Sequence, residues 1–393
     1  MRIAFDSVPL IADRMTGIGY CQAGQVKSLA KLYKNDKYIF QFFSVRTPHT
    51  KVERLSPYLG ENATYQKAFF SGLGYRIIQN YIPVPYSMFF GKDADVTHFF
   101  NYIVPPKVNT ATVVTVHDMV YKSYPETMNK RTLALLNKSL EKSMERATLI
   151  VTDSEFSKFE IIKYFPKFKD KIRVVYCGVD FSRFKKIEDK NVIQKVSEKY
   201  EINSKYFLYL GTLEPRKNLV RLIDAYAELK RRYAGEDIPK MVLAGGKGWL
   251  YDKIFEETEK QGLKDNVIFT GYVDDEDICP LISGAEAFVF PSVYEGFGLP
   301  PLEAMTCGVP VVVSDAASLP EVVGDCGVIV KSDSVDSIAD GLEKIYTNPE
   351  LRKELAQKGM ERAKGFTWDK SAKQLHNVYV EADKIFRSGN KNE

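Results

Sequence analysis

Tyr294-Glu295-Gly296-Phe297-Gly298-Leu299-Pro300-Pro301-Leu302-Glu303-Ala304-Met305 follows the apolar run Ala287-Phe288-Val289-Phe290 and leads into a short helical pattern that stops at Gly308. A buried strand, a glycine turn and a helix, in that order, are the repeating piece of an open α/β sheet. The glycines let the backbone turn tightly and approach a ligand. The paired prolines suit a first helical turn, where a missing N–H costs nothing. Free amides at such a helix start, with the dipole behind them, favour an anion, and a diphosphate fits once basic side chains share its charge. Glu295 and Glu303 flank that turn, one before it and one just inside the helix. Two carboxylates fixed there are placed to grip hydroxyls at opposite ends of a nucleotide sugar.

The basic side chains stand upstream. Tyr206-Phe207-Leu208-Tyr209-Leu210-Gly211-Thr212 reads as the first strand of this half and runs into Glu214-Pro215-Arg216-Lys217-Asn218-Leu219 and a helix through Leu222, Ala225, Tyr226 and Leu229. Arg216 and Lys217 supply a guanidinium fork and a point charge for a diphosphate, and Pro215 fixes the loop where a parallel sheet presents ligands. Met241 to Gly248 resembles a phosphate loop but lacks the spacing and hydroxyl of GxxxxGK[ST], so no P-loop is expected. Asn266 to Val273 is a further strand, and a base could rest against backbone near Tyr272 and Val273. Asp275-Glu276-Asp277 carries an Asp-x-Asp spacing, but its position before Ile278, Leu281 and Ile282 makes it a helix start in preference to a metal site. Val309 to Val313, Ser318-Leu319-Pro320-Glu321 and Gly327 to Val330 continue the alternation. Helices follow from about 335 to 346 and 349 to 363, then a long amphipathic one from Trp368 to Phe386.

The amino-terminal half repeats the pattern. Met1 to Asp6 is a first strand, followed by Arg14-Met15-Thr16-Gly17-Ile18-Gly19-Tyr20 and a helix through Val26, Leu29, Ala30 and Tyr33. Gly17 and Gly19 lack the third glycine of the dinucleotide fingerprint, yet stand between strand and helix where doubly wound sheets admit phosphate or sugar. Strands are expected at Ile39 to Val45, Val96 to Phe100, Thr112 to Val116, Leu149 to Thr152 and Lys171 to Tyr176. The third of these ends in His117-Asp118. A histidine at the carboxyl end of such a strand opens on the ligand crevice and can donate to a sugar hydroxyl or a backbone carbonyl. His49, His98 and His376 form no ligand spacing with it. Phe69, Phe70, Tyr75, Tyr81, Tyr86, Phe89 and Phe90 crowd one stretch, either as core and loop packing or as an acceptor groove or membrane-facing surface.

The 393 residues, 45% hydrophobic, suffice for two packed domains. No apolar run approaches the ~20 residues that cross a bilayer. The first residues carry no signal-peptide pattern, so a cytoplasmic chain is expected. The five cysteines, Cys21, Cys177, Cys279, Cys307 and Cys326, have no CxxC spacing and are expected as buried thiols, with neither a disulfide framework nor a zinc site indicated. Residues 1–185 hold 27 Lys and Arg against 16 Asp and Glu, while the remainder holds 28 against 35. A basic first half suits anionic lipid headgroups or a lipid-linked diphosphate. No nucleic-acid motif accompanies the charge.

With Gly211-Thr212-Leu213-Glu214-Pro215-Arg216-Lys217-Asn218, Gly245-Gly246, Phe290-Pro291-Ser292 and Glu295 through Glu303 in that order, the sequence resembles the family 4 retaining glycosyltransferases. Gly248-Trp249, Ser318-Leu319-Pro320-Glu321-Val322 and His117-Asp118 are similar to mannosyltransferases of bacterial surface polysaccharides. The resemblance implies an α/β chain of the GT-B fold, with two doubly wound Rossmann-like domains facing across a cleft. Their expected bounds are residues 1–185, joined by a helix at 368–393 that crosses back, a linker at 186–203, and residues 204–367 for the nucleotide sugar. It implies a hexosyltransferase that needs no metal or other cofactor, the nucleotide sugar being a co-substrate. GDP-mannose is the first expected donor and a UDP-hexose the second, with a glycan or lipid-linked acceptor in lipopolysaccharide or other cell-surface polysaccharide synthesis. The place of work would be the cytoplasm, in peripheral contact with the inner membrane face.

Residue by residue, the resemblance gives Arg216 and Lys217 the departing diphosphate, and Gly211, Gly296, Phe297, Gly298 and Leu299 the backbone around the donor. Glu295 would accept hydroxyls of the transferred sugar, Glu303 the ribose diol, and Val273 the base. Gly17 to Gly19 would close over the phosphates, and His117 would meet the sugar near the reacting carbon. A nucleotide-sugar epimerase and a catalytically silent glycan-binding protein are the rival readings. The first lacks a convincing acid and base pair, and the second would not need charged residues at every donor position.

Overall fold

The structure, a computed structural model, describes residues 1–13, 15–45, 49–79 and 82–389. Arg14, Tyr81 and the side chain of His49 lie outside the described residues. The chain forms two compact units. One comprises Met1–Ser123, Lys130–Gly178 and the chain from Trp368 onward; the other comprises Tyr124–Asn129 and Val179–Thr367.

The first unit is built on a parallel sheet of seven strands. These are β1 (Arg2–Asp6), β2 (Lys37–Phe43), β3 (Ala63–Ala68), β4 (Val96–Phe99), β5 (Ala111–Thr115), β6 (Leu149–Thr152) and β7 (Ile172–Val174), in the order β3-β2-β1-β4-β5-β6-β7. Every residue of β4, β5 and β6 is buried, as a sheet covered on both faces requires. The order reverses between β1 and β4, so the loops after them part and leave a crevice at their carboxyl ends. The helix Trp368–Gly389 buries Ala372, Leu375, Val378, Tyr379 and Ala382, one helical stripe, and packs on the helix Gly17–Leu32. A Cβ at Gly24 would stand 2.2 Å from the Trp368 ring, so only glycine admits the indole there. The Tyr379 hydroxyl lies 2.8 Å from His98 Nδ1, and His98 Nε2 lies 2.8 Å from Thr115 Oγ1. His98 is thereby a core group, and burial drives its pKa well below the ordinary value.

The second unit carries a six-stranded parallel sheet. Its strands are β8 (Tyr206–Leu210), β9 (Lys240–Ala244), β10 (Val267–Gly271), β11 (Ala287–Phe290), β12 (Val311–Ser314) and β13 (Val328–Val330), in the order β10-β9-β8-β11-β12-β13. Here the reversal falls between β8 and β11, whose registers pair Ala287 with Phe207 and Phe288 with Leu208. The Arg216-Lys217 loop leaves β8 and the Glu295 loop leaves β11, so neighbours in the sheet bring together segments nearly 80 residues apart in sequence.

Several expectations need correction. The first unit stops at Gly178 and not at 185, because Val179 pairs with Thr367 and its N–H donates to the Phe366 carbonyl at 3.0 Å. Residues 186–203 hold one helix. Their helix, Lys190–Lys199, packs on the helix Ile278–Ser283, and Lys199 pairs with Asp274 and Asp277. Those acids therefore serve ion pairs: Asp277 occupies the helix start but makes no side-chain cap, and Asp275 holds Arg183 at 3.1 Å. The aromatic stretch is divided. Tyr75, Tyr86, Phe89 and Phe90 surround Phe43, whereas Phe69, Leu73, Ile77, Ile82 and Met88 stay exposed.

Candidate active site

Gly211 follows β8, and the chain then makes a short turn at Pro215–Lys217 before the helix Leu219–Arg232. Two backbone-directed bonds fasten this turn to the neighbouring strand end: Val293 N–H donates to the Arg216 carbonyl at 2.9 Å, and Asn218 Nδ2 donates to the Pro291 carbonyl at 3.0 Å. Asn218 sits in the left-handed region at φ 61°, which aims its side chain back across the sheet edge. The fastened loops set the cations. Arg216 donates to the Tyr294 carbonyl at 2.7 Å, to Glu295 Oε2 at 2.8 Å and to Glu214 Oε1 at 2.9 Å. Lys217 Nζ donates to Glu295 Oε1 at 2.6 Å and stands 4.9 Å from the centre of the Phe290 ring.

Two cations and two carboxylates thus form one buried, hydrogen-bonded group. Burial alone would push the Glu295 carboxyl up, but Arg216 and then Lys217 outweigh it and hold the pKa at about 2. Burial and Arg216 lower the Lys217 pKa, with Glu295 and Glu214 opposing. Glu295 uses one lone pair on each oxygen for these cations, so the carboxylate retains capacity for substrate hydroxyls. Glu214, which the sequence reading left without a role, balances the second charge of the pair.

Past Glu295 the loop turns at Gly298, whose φ of 107° is open to glycine and strained for other residues. Gly298 is the N-cap of the helix Leu299–Thr306, and Pro300 and Pro301 occupy its first turn, so Leu299 contributes the first amide of the helix. The Ser318 hydroxyl lies 2.9 Å from the Glu295 carbonyl and 2.8 Å from the Phe297 carbonyl, sharing its proton between them. That clamp fixes Gly296 to Gly298. Behind the cation loop, a Cβ on Gly245 would fall 2.0 Å from the Gly211 carbonyl, so the β8 and β9 loops meet backbone to backbone. Val273, just past β10, is buried. Glu303 lies on the helix after the turn, half-buried, and burial raises its pKa to about 7 while Arg183 pulls it down and Asp275 pushes it up.

In the first unit, Gly17 opens the helix Gly17–Leu32 with free space around its Cα, and Gly19 packs against Met15 and the Pro9 carbonyl. His117 follows β5. Its Nδ1 lies 2.6 Å from Asp153 Oδ2 and its Nε2 2.8 Å from the Phe100 carbonyl. Burial would lower its pKa, but the Asp153 carboxylate outweighs that and holds it at about 9, so the ring is an imidazolium donating from both nitrogens. Both donors therefore go to protein groups, and a direct bond to a sugar requires Nε2 to leave Phe100. Ser154 caps the helix Glu155–Tyr164, accepting from Ser157 N–H at 3.0 Å, while Asp153 serves the histidine from the adjacent strand end.

These features coincide with two family descriptions. Residues 29–183 match Glycosyltransferase Family 4, and residues 189–362 match Glycosyl transferases group 1. The O-antigen chain mannosyltransferase B of Escherichia coli is 37% identical over 288 residues, 72% of this chain and 73% of that protein. The serotype-specific mannosyltransferase WbdA of Escherichia coli is 34% identical over 60% of this chain but only 29% of its own length. Among solved structures, Anabaena HepE in complex with UDP-glucose superposes with a TM-score of 0.73 at 18% identity, covering 97% of this chain and all of that one. Sucrose-phosphate synthase from Thermosynechococcus elongatus reaches 0.73 at 19% identity, over 97% of this chain and 98% of that one. Those likenesses are of fold, the GT-B fold of such transferases. With its two Rossmann-like sheets and the Arg216-Lys217-Glu295 cluster at a strand-order reversal, the chain belongs to glycosyltransferase family 4 and is a glycosyltransferase.

Proposed function

We propose that this enzyme moves a hexose from a nucleotide diphosphate sugar to a glycan or lipid-linked acceptor in cell-surface polysaccharide synthesis, with retention and without a metal. The carrying observation is the pairing of Arg216 and Lys217 with Glu295 at the reversal between β8 and β11. When the bond from the anomeric carbon to the diphosphate breaks, its electron pair goes to the phosphate, and the sugar gains oxocarbenium character. Arg216 and Lys217 meet the first charge, preorganised in a buried site where such groups act most strongly. Glu295 accepts sugar hydroxyls, Glu303 the ribose diol, and amides from Gly296 to Leu299 face the donor. Gly211 and Val273 line the same donor side, with Val273 near the base. The acceptor oxygen attacks the same face and gives its proton to the leaving phosphate. Gly17 and Gly19 keep the roles that the family resemblance gives them, and His117 acts by holding the Phe100 carbonyl, a backbone acceptor for charge that develops on the sugar.

GDP-mannose is the first donor proposed, since two relatives are named as mannosyltransferases. A UDP-hexose is the second, since HepE is described with UDP-glucose. Among the described residues no helix is long and apolar enough to cross a membrane. The exposed side chains of Phe69, Leu73, Ile77, Ile82 and Met88 instead favour peripheral contact with an anionic bilayer, on its cytoplasmic face. The deciding experiment measures nucleoside diphosphate release with and without acceptor, across a donor panel and in chelator. Acceptor-dependent release supports transfer. An epimerase releases little, and a silent binding protein none.

A further inference from the structure

Three buried groups of the first unit serve no step above except through His117. Cys21 lies on the first turns of the helix Gly17–Leu32, Asp153 follows β6, and Cys177 follows β7. The fold brings their side chains together although their spacing in sequence gives no sign of it. Cys21 Sγ lies 3.3 Å from Cys177 Sγ, and one ligand atom from each of Cys21, Cys177 and Asp153 falls within 4.8 Å of the others. The second observation concerns the carboxylate. Asp153 is 4% exposed; its Oδ2 holds His117, while Oδ1 is buried without a conventional hydrogen-bond partner and the Cys177 thiol is a weak donor to the carboxylate. A buried carboxylate oxygen served by nothing stronger than a thiol is costly unless something shares its charge.

We propose that Cys21, Cys177 and Asp153 form a binding site for one thiophilic divalent cation of the zinc class. Two sulfur ligands select zinc-like ions over magnesium or calcium, which take oxygen. Tetrahedral bonds of about 2.3 Å to sulfur set the two sulfurs roughly 3.8 Å apart, so the pair needs only a small opening. Both sulfurs bind as thiolates, so binding releases two thiol protons to solvent. Asp153 then bridges metal and histidine, the second-sphere pairing that orients ligands in metal sites. The ion ties the helix carrying Gly17 and Gly19 to the ends of β6 and β7, as a structural clamp distinct from the Arg216 and Lys217 cations of the second unit.

The test uses full-length protein loaded with zinc alone, under reducing conditions, then dialysed against a chelator. One zinc per chain is expected to remain, lost in C21S/C177S and kept in C279S/C307S, whose cysteines form the other close pair. Cobalt(II) in its place is expected to give thiolate-to-metal charge-transfer absorption in the wild type. Should the double serine variant fail to fold, alkylation of the wild type decides: zinc is expected to slow modification of Cys21 and Cys177 at least tenfold and leave Cys326 unchanged. Equal zinc content in wild type and C21S/C177S, or equal alkylation of Cys21 and Cys177 with and without zinc, overturns the proposal. Neither readout depends on transfer activity.

Discussion

Lys217 Nζ and Glu295 Oε1 lie 2.6 Å apart, each on the loop that leaves one of two adjacent parallel strands. The pair is shared with Arg216, so removing Glu295 leaves two buried cations with one carboxylate between them. Glu295→Gln is expected to cost about 3–5 kcal/mol of stability near neutral pH. The pH dependence has a definite sign. A carboxyl held at about 2 in the fold, below its ordinary 4.5, contributes stability above 4.5 that is lost as pH falls toward 2. Urea unfolding of wild type and variant at pH 7 and pH 3 should show the gap shrinking in acid; a constant gap would contradict the assignment.

Removing the cations tests catalysis more directly. Each of Arg216→Ala and Lys217→Ala is expected to lower kcat by about 10²–10³, the usual effect of one preorganised stabilising group. The double variant should be essentially inactive while retaining the circular dichroism of the wild type. Substantial residual transfer by a folded double variant would remove the electrostatic basis of the proposed mechanism.

Asp153 and His117 predict a shift of opposite sign. A histidine raised to about 9 from 6.5 stabilises the fold fully below 6.5, and this contribution fades as pH rises through 9. Asp153→Asn removes the charge that opposes burial, so the His117 ring should be neutral at pH 7. The expected cost is about 1.5–3 kcal/mol below neutrality, falling toward alkaline pH. NMR titration of the imidazole in both proteins, together with melting curves from pH 6 to 10, checks it. An unchanged histidine titration would show that Asp153 does not control the ring.

Glu303 carries a third pH signature. Its pKa of about 7, raised by burial, means the fold binds a proton that the unfolded chain releases near 4.5, so its stability contribution declines as pH rises from 4.5 to 7. Donor binding should move the other way, because the ionised carboxylate accepts from a ribose diol. The donor KM is expected to fall as pH rises through 7, with kcat little changed, and Glu303→Gln should flatten that dependence. A KM profile identical in the two proteins would leave Glu303 outside the donor site.

The strand and loop pattern was legible because parallel strands buried on both faces are continuous apolar runs, and β5, β6, β11 and β12 are such runs. The Arg216-Lys217 and Glu295 loops were legible for the same reason, each lying directly after a strand. Partners set by strand order were not. Asp153 meets His117 because β6 neighbours β5, and Cys177 meets Cys21 although 156 positions separate them. What the segment 186–203 packs against was not legible either: Ile193 reaches Gly284 closely enough that a Cβ there would stand 2.7 Å from it.

The exposed apolar side chains of the first unit yield the last prediction. The helices Gly72–Ile78 and Ser87–Phe90 bury Tyr75 and Phe90 near Phe43 but leave Leu73 70% and Met88 72% exposed, with Phe69 75% exposed just before them. Apolar groups of this size left in water carry about 1.5–3 kcal/mol each of unrealised burial. Insertion at a lipid interface would recover part of it, and nearby basic residues would add on the order of 1 kcal/mol each on anionic lipid. The protein is therefore expected to sediment with vesicles containing phosphatidylglycerol, more weakly with neutral vesicles, and less at high salt. F69S/L73S/M88S should weaken binding at least 100-fold while transfer to a water-soluble acceptor stays at the wild-type rate, since none of the three belongs to the donor loops. Binding of the triple variant equal to that of the wild type would assign the association to charge alone and leave these side chains without a role at the membrane.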